Sequence, residues 1–510
     1  MNNKTKIALA AVPLALALAY PASAWIVGKR VEAAIAGNYR LLDENPSLKI
    51  VERDYQRGLF SATETLTIEL LGNVTQAMAR QQQEVMAANP GLKLPPVQPI
   101  RVTIRSRIKH GPLPALNKLA AAVVDSELLL QGELQKQVEG ILGDGKPLQV
   151  HSEYRFDGGG VSTLSSPAFS THWQAAEGAG QNTLAWGGLT MNVDFEPGMR
   201  RYSIRAEAPR LEMKQSRGGQ LTFAEMRLEG TQQRLFDDDP LLYSGVQKLT
   251  VARFSAGSGE EGSEPVEARR IAYEAEIPVN GDFIDLIGRL GSESLRVGGK
   301  DYGPVHYDFS LRHVHARTAA ALYREMLRVS SDVELQAAAQ AEPATMFAPL
   351  AKPALALLQH GPEISIDRLS FRSPHGDAAL AARMKLANVD AGDFSTPLLL
   401  LAKLDASAEI SVPEALLGEL AVAGTGAPAP ATSGMPQAEG IVVGEAPDPA
   451  ESAAARAETM RQRVADLAAQ GFVVREGGLL RTKLAFSKGR MTVNGRPFNP
   501  QAIGGPAGGM

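Results

Sequence analysis

A regular alternation of apolar and polar residues is the feature that most constrains how this chain folds. In YQRGLFSATETLTIEL, residues 55–70, the even positions from Phe60 to Leu70 are apolar except Glu64, and the odd positions are polar. Successive side chains of a strand point to opposite faces, so this period of two predicts a strand with one apolar face. The sequence leaves open whether a protein core or a hydrophobic cargo covers that face.

The same alternation recurs along most of the chain. It is found in residues 100–109, 148–156, 189–195, 202–213, 271–277, 305–311, 362–372, 377–388, 402–412 and 479–486. Clean alternation is typical of antiparallel sheets that have one face in water. Helical patterns interrupt it near residues 31–45, 74–88, 134–142, 317–358 and 451–470.

The N-terminal segment predicts targeting to a membrane. Residues 7–28 are uncharged, with basic residues on both sides. A helix of this length can cross about 30 Å of hydrocarbon. The small residues at 22–24 also fit a signal-peptide cleavage site. Three interpretations therefore stay open: an uncleaved anchor in the inner membrane with the body in the periplasm, a soluble periplasmic protein after cleavage, or a buried helix of a soluble protein. Trp25, at a position suited to the membrane interface, favours the anchor.

Together these patterns predict an α+β, strand-dominated fold. We expect an extended or curved antiparallel β-sheet with capping helices, preceded by one N-terminal transmembrane helix. The predicted segments are the anchor or signal peptide (1–30), an N-terminal strand-rich periplasmic region (31–316), a helical segment with C-terminal strands (317–422), a flexible Pro/Ala/Gly-rich insertion (423–450), a helix with a terminal β-hairpin (451–500) and a disordered tail (501–510).

Composition narrows the functional classes. The 510 residues include no cysteine, which excludes disulfides, thiol catalysis and cysteine-based metal sites. The formal net charge of −4 shows no excess of basic residues, so we expect no nucleic-acid partner.

Two groups of residues are predicted to bind or to pack. The first would form a hydrophobic groove or a core, and comprises Phe60, Leu66, Ile68, Leu70, Ile100, Val102 and Ile104. The second is a basic strand face that would contact anionic headgroups, and comprises Arg101, Arg105, Arg107 and Lys109.

Histidines are the remaining candidates. His313 and His315 would share one strand face, a spacing that suits two ligands of one metal, whereas His306 has the opposite parity. The tripeptide HGP occurs at 110–112 and at 360–362, where Gly and Pro would form a turn and His a local hydrogen bond. No carboxylate completes the first set and no G-x-S-x-G motif is present, so we predict no catalytic residue, no metal and no cofactor.

Several short motifs resemble those of the YdgA-like family of bacterial envelope proteins, in the same order. They are AWIVGKRVE at 24–32, YQRGLFSA at 55–62, HGPLP at 110–114, WGGL at 186–189, GVQKLTV at 245–251, KLDASAEISVP at 403–413 and GRMTVNGRPF at 489–498. The resemblance implies an inner-membrane protein with one N-terminal anchor and a periplasmic body. It implies no catalytic residues.

The function predicted from the sequence is that of a membrane-anchored, periplasmic, non-enzymatic scaffold or binding protein of the cell envelope. Its expected partners are the membrane and a lipid or an envelope protein, and it is compatible with an oligomer. An alternative is a lipid- or hydrophobic-ligand-binding protein that uses the apolar face of a curved sheet as a groove. A further alternative is an envelope hydrolase.

Overall fold

A computed structural model describes most of the chain. The described residues are 20–21, 23–37, 39, 47–89, 91, 94–97, 99–114, 119–130, 132–143, 145–174, 180–259, 264–342, 344–390, 392–393, 397–417 and 453–498. Residues 7–19 of the predicted membrane segment, the predicted insertion 423–450 and the predicted tail 501–510 lie outside them.

The chain divides into two compact units. The first comprises Met1–Gly288 and His313–His360, and the second comprises Arg289–Arg312 and Gly361–Met510. The segment boundaries drawn from the sequence stay predictions.

Strands make up most of both units. In chain order they are β1 (Leu48–Arg57), β2 (Ser61–Leu70), β3 (Ile100–His110), β4 (Ala122–Leu129), β5 (Gln149–Tyr154), β6 (Gly160–Ser166), β7 (Phe169–Gln174), β8 (Gln181–Trp186), β9 (Leu189–Phe195), β10 (Arg201–Lys214), β11 (Gln220–Phe236), β12 (Asp239–Gly257), β13 (Val266–Ile277), β14 (Val279–Asn280), β15 (Phe283–Ser292), β16 (Ser294–Val297), β17 (Lys300–Tyr302), β18 (Val305–His315), β19 (Glu363–Ser373), β20 (Gly376–Leu386), β21 (Leu404–Pro413), β22 (Val474–Glu476), β23 (Leu479–Ser487), β24 (Arg490–Val493) and β25 (Arg496–Pro497).

Helices are fewer. Those labelled here are α1 (23–37), α2 (Gly72–Ala88), α3 (Gly132–Leu142), α4 (Ala316–Ser331), α5 (Val333–Ala341), α6 (Ala344–Leu358), α7 (Pro397–Lys403) and α8 (Ala453–Ala469). Residues 414–417 are also helical. Among the residues that the structure describes, no helix is both long enough and apolar enough to cross a membrane.

The strands of the first unit form one antiparallel series. β1 to β6 pair in chain order, β6 then pairs with β9, and β9 to β13 again pair in chain order. The β7–β8 hairpin joins this series through β10, where Leu211 lies opposite Trp186. The predicted strand-dominated antiparallel fold is therefore confirmed.

Helix α1 covers one end of this sheet. Val27, Val31 and Ile35 recur every fourth residue and so form a stripe on one side of the helix. Val31 and Ile35 are buried in one hydrophobic core with Ala62 of β2 and Ile108 of β3, and Val27 packs against that core. At this end of the sheet, the apolar face predicted from the alternation is part of the protein core.

The strands β10–β13 are unusually long. They contain 14, 17, 19 and 12 residues, whereas strands of five or six residues are typical. At the β11–β12 turn, Asp238 forms an ion pair with Arg317 at 3.0 Å, and the buried Asp239 forms one with Arg324 at 2.5 Å. These two pairs attach α4 to the end of the long strands.

The second unit has its own antiparallel series. The part of β18 that belongs to it pairs with β19, followed by β20, β21, β23, β24 and β25. Ser310 and Ser365 lie opposite each other on β18 and β19, and their buried hydroxyls are 2.7 Å apart. Leu416, Val464 of α8 and Leu480 of β23 are buried in this unit.

We expect the α1-covered end of the sheet to carry much of the stability of the first unit. Ile108 is 1% exposed, so Ile108→Ala should lower the free energy of unfolding by about 2–5 kcal/mol. Tryptophan fluorescence during urea unfolding measures this, because all three tryptophans belong to the first unit.

Ile100→Ala is the matched control. Ile100 has the same parity on the same strand but is 54% exposed, so its truncation should change the free energy of unfolding by no more than about 0.5 kcal/mol. Equal losses in the two variants would contradict the assignment of this end of the face to a core.

Candidate functional site

The one acidic residue on the apolar face of β2 is the centre of a buried polar cluster. Glu64 is 1% exposed. The hydroxyl of Tyr39, which follows α1, donates to its Oε2 at 2.5 Å, and Arg53 Nε of β1 donates to its Oε1 at 2.7 Å. A buried carboxylate is tolerated when it is paired and hydrogen-bonded in this way. Glu64 therefore connects α1 to both strands of the first hairpin.

The two tyrosines beside Glu64 stay protonated. Burial raises the pKa of Tyr55 to about 12, and the carboxylates of Glu32 and Glu64 act in the same direction. Burial raises the pKa of Tyr39 well above its ordinary value, and the hydrogen bond to Glu64 adds to this effect. A phenol that keeps its proton is a hydrogen-bond donor and not a base, so the cluster is suited to holding α1 in place.

His110, the first histidine of the HGP repeat, lies under α1. It is buried, and its Nδ1 is 3.1 Å from the carbonyl oxygen of Ala24, which requires the tautomer with Nδ1–H as donor. Burial lowers its pKa, against the opposing effect of the Ala24 and Ser61 carbonyls. Gly28 brings the helix backbone so close that a Cβ there would be 2.6 Å from the imidazole Cε1. The sequence predicts a local hydrogen bond for His110. In the structure this hydrogen bond instead joins β3 to α1, between residues that are 86 positions apart.

An open groove lies where α1 begins. Its volume is about 390 Å³. The ring of Tyr20 stacks on Phe60 with centroids 5.6 Å apart, and the Tyr20 hydroxyl donates to the carbonyl of Leu113 at 3.0 Å. The groove is lined by Tyr20, Phe60, Ser61, Lys109, His110, Leu113 and Pro114. It brings together one residue from the predicted hydrophobic group, Phe60, and one from the predicted headgroup-binding group, Lys109.

The other residues predicted to form a groove or a core are divided between buried and exposed positions. Leu66 and Ile68 are buried, whereas Phe60 and Ile100 at the two ends of the face are exposed. Leu70, Val102 and Ile104 are half-buried.

The basic face of β3 is partly paired with acids. Arg101 binds Glu69 at 3.2 Å, and Arg107 binds Glu127 at 3.1 Å. Glu127 also accepts from Lys146, which is the main cause of its lowered pKa, and Arg107 contributes. Arg105 is exposed on the same side of the strand. Contact of these residues with anionic headgroups stays a prediction.

A second apolar surface, which the sequence did not single out, crosses the long strands. Residues that face each other in the antiparallel register share a side of the sheet. One such line, here called the long-strand row, runs through Leu164, Met191, Ala206, Leu228, Leu249 and Tyr273. The six strands place its ends about 24 Å apart at the usual spacing. Leu249 is 40% exposed, and its neighbours Leu228 and Tyr273 are half-buried.

The reverse side of the same strands is polar. Arg205 lies beside Glu229 at 3.5 Å, and Arg227 is exposed next to Thr250. The polar side is stable in contact with water. On the side of the long-strand row, Ala206 is buried and Leu249 is exposed, so burial by a ligand would gain free energy mainly around Leu249.

Histidines form the last candidate. His313 and His315 both contact Phe283, at ring-centroid distances of 4.0 and 5.6 Å. The backbone of His313 has φ +56°. His360, from the second HGP, stacks on His315 at 4.1 Å. His306 belongs to the second unit. Parallel rings face each other with their π surfaces and not with their nitrogen lone pairs, so this stacking does not suit chelation.

The fold and these sites define a strand-dominated antiparallel sheet protein with an N-terminal helix docked on the sheet. The chain belongs to the family described as "Bacterial protein of unknown function (DUF945)", whose match covers residues 2–501. A Haemophilus influenzae protein described as uncharacterized is 22% identical over 351 residues, which cover 64% of this chain and 87% of that relative. No solved structure matches the chain.

The close approach at Gly28 provides a test of the α1 docking. Because the imidazole of His110 is buried and cannot move away freely, Gly28→Ala should lower the free energy of unfolding of the first unit by about 1–3 kcal/mol. Urea unfolding followed by tryptophan fluorescence measures the loss.

The same substitution at Gly37, near the other end of α1, is the control. A Cβ there meets no atom within 4 Å, so Gly37→Ala should be neutral or stabilise by up to about 1 kcal/mol through helix propensity. If both variants were as stable as the unmodified protein, the docking of α1 on His110 would be wrong.

Proposed function

We propose that this protein is a non-enzymatic binding protein of the bacterial cell envelope. Its N-terminal segment anchors it in the inner membrane, its strand-rich body lies in the periplasm, and it binds the acyl chains of lipids along the long-strand row. The observation that carries the ligand class is the row itself, an apolar line across six strands with Leu249 40% exposed.

The energetics favour an apolar occupant of this surface. Burying apolar surface gains about 25 cal/mol for each Å². A ligand that covered the exposed part of the row would therefore be stabilised by this burial. An exposed apolar patch on a protein surface is a common sign of a ligand or partner. Acyl chains fit a long, narrow apolar line better than a compact metabolite does, because the line is about 24 Å from end to end.

A binding role agrees with the chemistry of the titratable clusters described above. Glu64, Arg53 and Tyr39 satisfy one another's hydrogen bonds and hold α1. The imidazoles of His315 and His360 present their faces to each other. Neither cluster joins a nucleophile to a base at hydrogen-bonding distance in an open cleft, which is the arrangement that covalent hydrolysis uses.

Two observations support the anchor: residues 7–28 are uncharged, and the motif order resembles that of the YdgA-like family. The contacts of the segment near the candidate cleavage site bear on cleavage and not on insertion into the membrane. Ala24 is 0% exposed and its carbonyl accepts from His110, while Tyr20 stacks on Phe60. Cleavage after Ala24 would remove Tyr20 and separate Ala24 from the rest of α1, so the uncleaved form is the one that keeps these contacts.

The ligand proposal is tested by an aspartate on the row. We expect the full chain, extracted in mild detergent, to carry phospholipid that mass spectrometry quantifies, and a photoreactive fatty acid to label β11 or β12. Leu249→Asp should reduce both signals several-fold, because it places a charge on the apolar line.

Thr250→Asp is the control for that experiment. Thr250 is the next residue of β12 and lies on the polar side opposite Arg227, so a carboxylate there should leave lipid recovery and labelling unchanged. Absence of lipid from the unmodified protein, or equal losses in both variants, would contradict lipid binding at the row.

The anchor is tested separately by intact mass. Protein recovered from cells should remain with the membranes after an alkaline wash and should have the mass of the full chain, 54.3 kDa. Release into the periplasmic fraction as a species that begins at Trp25 would instead support the cleaved form.

A further inference from the structure

Three histidines and one phenylalanine from separate segments meet in the first unit. Phe283 begins β15, His313 and His315 end β18, and His360 follows α6. Phe283 stacks on His313 at 4.0 Å, with an interplanar angle of 11°, and His315 stacks on His360 at 4.1 Å, with an angle of 13°. The edges of the second stack contact Phe283 at 5.6 and 6.0 Å. We refer to these four residues as the histidine stack.

We propose that the histidine stack is a pH-sensitive latch, which holds the start of α4 against the end of α6 when its imidazoles are neutral and releases them in mild acid.

His315 also caps helix α4, and protonation of its imidazole would remove this cap. It is the N-cap of α4, and its Nδ1 accepts from the backbone N–H of Thr318 at 3.4 Å. An N-cap satisfies one of the four N–H groups that a helix leaves without a partner at its first turn. A proton on Nδ1 would remove the acceptor. It would also put a positive charge at the positive end of the helix dipole.

The stack on His360 adds repulsion. Two imidazolium rings in parallel contact would place like charges about 4 Å apart, so the second protonation is opposed by the first. His360 is an exposed residue, and its pKa is lowered by the partial loss of hydration of its ring and then by the charges of His315 and His313. A lowered pKa means that the unfolded chain binds more protons than the folded chain, so the stabilising contribution exists above the ordinary value of about 6.5 and is lost as pH falls below it.

Charged residues flank the segments that form the histidine stack. Asp285 of β15 lies on the His313 side, where its carboxylate accepts from the His313 backbone N–H at 2.8 Å. Asp282 contributes its carbonyl to the N–H of Ala316. On α4, Arg317 is paired with Asp238. On α6, Lys352 is exposed.

Hydrogen exchange on the full chain measures the latch. After correction for intrinsic exchange rates, we expect protection of the first turn of α4 to fall several-fold between pH 7.5 and pH 5.5, because the neutral imidazoles that hold the latch are lost as pH falls. Peptides from β11 and β12 should keep their protection over the same range and so report that the sheet stays folded.

Two substitutions remove the titration of the His315–His360 pair without removing the geometry. His360→Phe keeps an aromatic ring in the stack, and His315→Asn keeps an N-cap acceptor. The double variant should be equally protected at both pH values. His172→Gln, which removes an exposed imidazole on β7, should retain the full response.

Two results would overturn the proposal, and both can be distinguished from unfolding of the sheet. Protection of α4 in the unmodified protein that does not change with pH would overturn it. So would an unchanged fall in the double variant while the peptides from β11 and β12 remain protected.

Discussion

A sheet with one apolar face is stable in water only as far as something covers that face. In the first unit the covering is uneven. At the β2–β4 end, α1 lies on the face, and Ala62 and Ile108 are fully inside a core. Across the long strands the corresponding surface is half-buried, and Leu249 is open to solvent. The covered end contributes stability. The partly covered stretch leaves apolar surface exposed to solvent.

The docking of α1 depends on a charge placed inside an apolar pattern. A buried carboxylate without partners would cost several kcal/mol, so Glu64 fits its position only when Arg53 and Tyr39 are in place. Hydrophobic contacts alone tolerate sliding and rotation. The hydrogen bonds of Glu64 and the close contact between Gly28 and His110 are compatible with only one position of the helix on the strands. The polar cluster and the tight contact thus determine the position of α1, while Val31 and Ile35 supply the apolar burial.

Local patterns predicted the elements well, because periodicity is a property of neighbouring residues. The alternation in residues 55–70 marks β2 within one or two residues, and the helices near 74–88 and 451–470 correspond to α2 and α8. Contacts between distant segments were beyond such patterns. The HGP pattern predicts a turn at His360, although its imidazole stacks on His315. The long-strand row depends on the register of six strands, which single segments do not specify. For the buried polar cluster, the sequence contains one signal: Glu64 is an acidic residue at an otherwise apolar set of alternating positions.

The distance along the chain between α1 and its partners has a consequence for the order of folding. Tyr20 binds the carbonyl of a residue 93 positions later, and Ala24 binds a histidine 86 positions later. The helix is synthesised first, but the surface it covers is complete only when β3 and β4 have been made. Closing so long a loop is slow compared with forming a local hairpin, so β1 and β2 can pair well before α1 docks. During that interval the apolar stripe of α1 is free, and a chaperone or a membrane surface would meet it before the sheet does.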